Sequence, residues 1–153
     1  MATHLQIDTF VNAPPERVFA LATDFEHAAE RVSAIVRMEM LTDGPVGLGT
    51  RFRETRVMFK REATEEMTVV EWEPPLRYVL GAESCGSRYR SELRCTPEGE
   101  GTRFSMSFEA EPQTFFAKVM GFLMKGMIKK MGEMCLKDLE DIGRAAEAER
   151  AGS

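Results

Sequence analysis

The chain has 153 residues, a formal net charge of −5, 43% hydrophobic residues and 29% charged residues. That length and balance fit one globular domain over 1–153, with an ordered core over about 4–147. They exclude a disordered chain and argue against a general nucleic-acid binder, which carries a basic excess. Eleven methionines stand against one Trp and two Tyr, and methionine is the flexible side chain that adapts to irregular apolar partners.

Three cysteines, Cys85, Cys95 and Cys135, occur without a CxxC pair, and the start MATHLQIDTF has no basic region and no long apolar run. Both features imply free thiols and a cytoplasmic location. No stretch reaches the roughly 18 uninterrupted apolar residues of a membrane-spanning helix.

Residues 4–12 alternate as a half-buried strand through Leu5, Ile7, Thr9 and Val11. Pro14 and Pro15 then suit a first helical turn, Glu16 suits its positive end, and Val18, Phe19, Leu21 and Ala22 form its apolar stripe. Asp24 is placed to cap a second short helix reaching about Arg31.

From about 34 to 110 the pattern is strands. Val36, Met38 and Met40 alternate with Arg37 and Glu39, and the loop 41–49 follows. Strands over about 50–59 and 62–73 end at Pro74–Pro75. Residues 76–84 alternate around Tyr78, Leu80 and Ala82. Tyr89, Ser91, Leu93 and Cys95 then face Phe104, Met106, Phe108 and Ala110 across the turn PEGEG, the clearest hairpin in the chain. Short turns between successive strands predict an antiparallel sheet with one covered face.

The cover is one long helix over about 114–148. Met120, Met124, Met127, Met131 and Met134 fall within an arc of roughly 80° on its wheel. Gly121, Gly126 and Gly132 within it mark a kink or a close approach to the sheet. The expected fold is therefore α+β. A curved antiparallel sheet of about six or seven strands wraps around a long C-terminal helix, with two short helices after the first strand.

The pieces NAPPERVF (12–19), Asp24-Phe25, GLGTRFRE (47–54), VEWEPPLRY (70–78) and the helix end KDLEDI (137–142) occur in an order that resembles the START/Bet v1-like superfamily. The branch it is most similar to is the bacterial polyketide cyclase/dehydrase one, often called SRPBCC. The resemblance covers roughly residues 4–145 and implies a helix-grip fold with a cavity between helix and sheet. Similar sequences carry a Trp near Arg31–Ser33, where this chain reads ERVS. Members bind lipids, sterols, hormones or polyketides, and some cyclise or dehydrate polyketides, so the fold leaves the function open.

With that fold, the Met stripe reads either as a deformable wall for a hydrophobic ligand or as ordinary core packing. The expected lining is Phe52, Met67, Tyr78, Leu80, Tyr89, Leu93, Phe104, Met106, Phe108, Phe116, Met120, Leu123, Met124, Met127 and Met131. Strict alternation from Phe52 would also turn Glu54 and Arg56 inward. A bulge near Thr55 is the simpler outcome, because a buried charge is costly unless paired. The other outcome is an inward Glu54–Arg56 ion pair, which with Ser91 would anchor a polar ligand group. Val70 and Trp72 break the face set by Met67 and Val69 in the same way, and there too a bulge is the simpler reading.

Phe115 and Phe122 lie among Lys118, Lys125 and Lys129, away from the Met arc. They touch a membrane surface or a partner, or they are buried because the helix kinks or starts later; burial is the simpler outcome. His4 and His27 show no metal-ligand spacing and no pairing with a nucleophile, and inward Cys95 reads as a small hydrophobe. The loop 44–49 lacks phosphate-binding spacing and reads as a strand connection beside the cavity mouth.

No catalytic residue, metal or cofactor is expected. The function expected is binding of a small hydrophobic ligand, lipid or polyketide-like. A cyclase/dehydrase-like enzyme using Glu54, Arg56 and Tyr89 and a protein- or membrane-docking module are the alternatives. Expected partners are a small hydrophobic molecule and a second copy of the chain, without nucleic acid and without integral membrane association.

Overall fold

The computed structural model describes residues 3–84, 86–123 and 125–151. Cys85 and Met124, both singled out above, lie outside the described residues, as does the side chain of Leu123. The described residues form seven strands: β1 (Thr3–Val11), β2 (Ile35–Met40), β3 (Arg51–Met58), β4 (Arg61–Glu73), β5 (Arg77–Ser84), β6 (Ser87–Glu98) and β7 (Gly101–Pro112). They pair antiparallel in the order β1-β7-β6-β5-β4-β3-β2.

Helix α1 (Pro15–Ala22) and the short α2 (Ala28–Arg31) connect the two edge strands β1 and β2. Pro14 enters α1 in extended conformation, and Thr23 closes it by donating its hydroxyl to the Phe19 carbonyl at 2.8 Å. Val18, Phe19, Leu21 and Ala22 are buried, as their spacing predicts. Asp24 does not cap the next turn. Its carboxylate binds His27 Nδ1 and Arg31 Nη1 instead, each at 2.9 Å, because a guanidinium and an imidazole are within reach of it.

Two predicted bulges resolve differently. The β4–β5 register shifts between Val69 and Glu71, so Val70 is the extra residue, and Trp72 returns to the inner face opposite Tyr78. No bulge occurs near Thr55. The β3–β4 register is unbroken from Arg51 to Met58, and the irregularity sits on β2 between Ile35 and Arg37. It turns Val36 outward, contrary to the inward position its alternation predicts.

The long C-terminal helix is interrupted. Helix α3 (Phe115–Leu123) is followed by a 3₁₀ turn (Lys125–Met127) and then α4 (Ile128–Ala151). Gly126 has open space around its Cα and lies in the tighter turn, so it marks the break. Gly132 and Gly143 mark close approaches of α4 to β1. A Cβ on Gly132 would lie 3.2 Å from Leu5 Cδ1, and one on Gly143 2.8 Å from Val11 Cγ2.

Candidate functional site

The covered face of the sheet changes character along its strands. At the α1 end it is filled. Phe52, Tyr78, Leu93, Cys95 and Phe104 are buried beneath α1 and the turn after it. Phe25 stacks on Phe52 at 4.3 Å, and Phe19 meets Tyr78 and Trp72 edge-on at 5.7 and 5.2 Å. Two to four residues further along β5, β6 and β7, on the same face, Leu80, Ala82, Tyr89, Ser91, Met106 and Phe108 are only half-buried, as is Met67 on β4 opposite Phe52. Tyr89 stacks on Phe108 at 5.8 Å.

The predicted lining residues are thus split. Phe52, Tyr78, Leu93 and Phe104 belong to the filled half. Met67, Leu80, Tyr89, Met106 and Phe108 belong to the half-buried half, with Met127 and Met131 half-buried on the helical side. Phe116 and Met120, expected inside, are exposed, because the helix breaks before α4 and α3 rests against β7 and the β5–β6 turn through Ala117. Phe115 and Phe122 are exposed as well, so the simpler expectation of their burial is overturned.

Glu54 and Arg56 face inward as an ion pair. Arg56 donates from Nε and Nη2 to Glu54 Oε1 at 2.9 and 2.6 Å, and its Nη1 lies 2.8 Å from Asp138 Oδ2 on α4. All three side chains are largely buried. Asp138 Oδ1 is buried and has no hydrogen-bond partner among the described residues. Burial pushes the Asp138 carboxyl up to about 6, and the nearby Arg56 offsets only part of that. Glu54 lies opposite Glu65 on β4, two residues from Met67, so the charged cluster and the half-buried apolar set share one face.

Asp138 is the functional candidate that sequence reasoning missed. Its signal was an acidic residue one position past Lys137, on the α4 face toward β3, but the register of helix against sheet is not written in either segment alone. Beside the cluster, a groove of about 430 Å³ runs between the β3–β4 hairpin and α4, lined by Ala34, Val57, Phe59, Lys130, Glu133, Met134 and Lys137. Val57 and Lys137 are the chain neighbours of Arg56 and Asp138. Phe59 reaches this groove from a two-residue turn in which Phe59 and Lys60 have φ of 52° and 67°.

At Arg31–Ser33, where the sequence departs from the pattern its resemblance implies, the structure makes polar contacts. The Ser33 amide and hydroxyl both donate to Asp141 Oδ2 at 3.0 Å, and Val32 is buried beside them. Burial pushes the Cys95 thiol up to about 12 and the Cys135 thiol to about 11, so neither is a thiolate at neutral pH. His4 binds Ser107 Oγ at 3.1 Å on the far side of the sheet from the charged cluster's strands. Tyr78 donates to the Ala22 carbonyl at 3.4 Å, and burial raises its hydroxyl well above its ordinary range.

Sheet order, interrupted C-terminal helix and paired short helices define a helix-grip protein. The chain belongs to the family described as polyketide cyclase / dehydrase and lipid transport, whose model matches residues 2–142. Its fold is similar to that of the di-domain ARO/CYC StfQ from the steffimycin biosynthetic pathway, with a TM-score of 0.80 and 15% identity; the match covers 100% of this chain and 53% of that one. It is also similar to a protein from Thermus thermophilus, TTHA0849, with a TM-score of 0.76 and 24% identity over 95% of this chain and 98% of that one. A third similar structure is the Zhui aromatase/cyclase from Streptomyces sp. R1128, with a TM-score of 0.75 and 14% identity over 96% and 94%. No curated protein matches the chain in sequence.

Proposed function

We propose that the chain binds a small hydrophobic molecule between the half-buried part of the sheet and the helical segment 127–134. The observation that carries this reading is the burial gradient. One face of one sheet is packed by Phe19 and Phe25 at one end and left half-covered at the other, over Met67, Leu80, Tyr89, Met106 and Phe108. Transfer of apolar ligand surface onto those side chains would contribute about 25 cal/mol per Å² before the costs of association. Arg56 on the same covered face, with Asp138 reaching it from α4, would orient a carbonyl or carboxylate at one end.

Native mass spectrometry after incubation with a mixed lipid extract, backed by titration of a fluorescent fatty acid, tests the reading. The wild-type chain is expected to retain a ligand, and Leu80→Glu to weaken binding at least about tenfold by placing a charge on the apolar face. A chain that retains nothing and does not bind the fatty acid at micromolar levels ends the reading.

A second reading, a cyclase/dehydrase-like enzyme, is favoured by one feature. Burial pushes the Asp138 carboxyl up to about 6, and it has an uncommitted oxygen beside a buried guanidinium. Such a carboxyl can accept or return a proton while Arg56 stabilises charge on a substrate oxygen. Asp138→Asn should then abolish turnover of a poly-β-keto chain while binding survives. Equal loss of both, or of neither, removes this reading.

A further inference from the structure

Helix α3 rests on the body of the protein by one side only. Thr114 Oγ1 accepts the Ala117 amide at 3.1 Å to start the helix, and the buried Ala117 is its inward residue. The outward arc is apolar: Phe115, Phe116 and Phe122 are 82%, 71% and 68% exposed, with Val119 and Met120 also exposed between them. Three phenylalanines on a nine-residue helix cannot be read as scattered surface hydrophobes.

The charge along this part of the chain is equally one-sided. The chain is acidic overall, yet residues 112–132 contain no Asp or Glu and carry Lys118, Lys125, Lys129 and Lys130. Five of the six lysines in the whole chain lie between Lys118 and Lys137. Lys118, Lys129 and Lys130 are exposed. An exposed aromatic arc beside Lys118, in an acid-free stretch that continues through exposed Lys129 and Lys130, complements a surface that is apolar below and anionic at its rim. A two-fold contact between copies through α3 would instead bring Lys118 of one copy toward Lys118 of the other, which like-charge repulsion opposes.

We infer that α3 docks the protein, peripherally and reversibly, on an anionic lipid bilayer, with Phe115 and Phe122 entering the interface and the lysines facing acidic headgroups. The inference stands on the exposed face of α3 and the lysines of residues 118–130 and is independent of what the sheet binds.

Vesicle flotation decides it, using phosphatidylcholine vesicles and phosphatidylcholine vesicles containing phosphatidylglycerol, at low and high salt. The wild-type chain is expected to favour the anionic vesicles at least about tenfold, with the preference shrinking at high salt. The Phe115→Ser/Phe122→Ser variant should lose anionic-vesicle binding at least about tenfold with an unchanged urea midpoint. Lys118→Glu/Lys129→Glu should lose the anionic preference. No binding of the wild-type chain to anionic vesicles, or full binding by the double serine variant, overturns the inference. A wild-type dimer that the serine variant dissolves, without vesicle binding, overturns it in favour of a second copy as the occupant.

Discussion

Arg56 on β3 and Asp138 on α4 are 82 positions apart in sequence and meet at 2.8 Å, tying the helix to the sheet through a buried charge. The guanidinium also holds Glu54, so one cation serves two carboxylates with little water around them. Removing the cation leaves both carboxylates unpaired. Arg56→Met should therefore destabilise the fold by about 3–5 kcal/mol in urea unfolding. The triple variant Glu54→Leu/Arg56→Met/Asp138→Leu should recover most of that loss. A single variant as stable as the wild-type chain would show that the cluster is well solvated.

The same cluster sets a pH dependence. Asp138 is held at about 6 in the fold against an ordinary 3.8, so the native state binds its proton at a pH where the unfolded chain has released it. The contribution is fully present below about pH 4 and is lost as pH rises through about 6. It amounts to on the order of 3 kcal/mol. Asp138→Asn should flatten that part of the stability curve relative to the wild-type chain. Parallel curves between pH 4 and 6 would contradict the assignment.

Asp141 behaves in the opposite sense. Burial alone would raise it, but bonds from Lys137, Ser33 and Arg144 hold it down to about 2. Its contribution is present above about pH 4, the unfolded value, and disappears as pH falls through about 2. Asp141→Asn should cost about 2 kcal/mol at neutral pH and almost nothing near pH 2. A loss that is the same at both pH values would indicate a purely steric defect.

Much of this architecture was legible in the sequence. Alternation identified β6 and β7 because Leu93 and Met106, or Cys95 and Phe104, sit directly opposite in register. The Val70 bulge was legible because Trp72 could not otherwise share a face with Val69. The candidate site was less legible, for two physical reasons. Glu54 and Arg56 obey simple alternation only because Asp138, far away in sequence, shares the cation. The Met stripe assumed a continuous helix, whereas the break before Ile128 turns Phe116 and Met120 to solvent and leaves Met127, Met131 and Met134 on the covered side.

Ala82 tests whether the half-buried face is vacant or merely loosely packed. It lies opposite Tyr89 and between Leu80 and the end of β5. If the space above it takes a ligand, Ala82→Leu should shift the urea midpoint by less than about 1 kcal/mol equivalent and weaken fatty-acid binding at least about tenfold. A loss of about 1–3 kcal/mol with no change in binding would instead be the signature of an overfilled core.

The two glycines of α4 that approach β1 make opposite predictions from the same substitution. Replacing glycine by alanine inside a helix contributes about 1 kcal/mol from reduced backbone entropy. At Gly132 the new methyl would meet the tip of Leu5 at 3.2 Å, the end of a flexible and half-buried side chain that can rotate away. Gly132→Ala should be neutral or stabilising. At Gly143 it would meet Val11 Cγ2 at 2.8 Å, on a stiff β-branched residue that is fully buried, so helix and strand must separate. The Asn12 amide, which donates to Glu147 at 2.8 Å one turn further along, would be strained by the same movement. Overpacking of this kind costs about 1–3 kcal/mol, which exceeds the propensity gain. Thermal unfolding of both variants should therefore show Gly143→Ala melting below the wild-type chain and Gly132→Ala at or above it. A reversed order would mean that α4 rides on β1 at a different register.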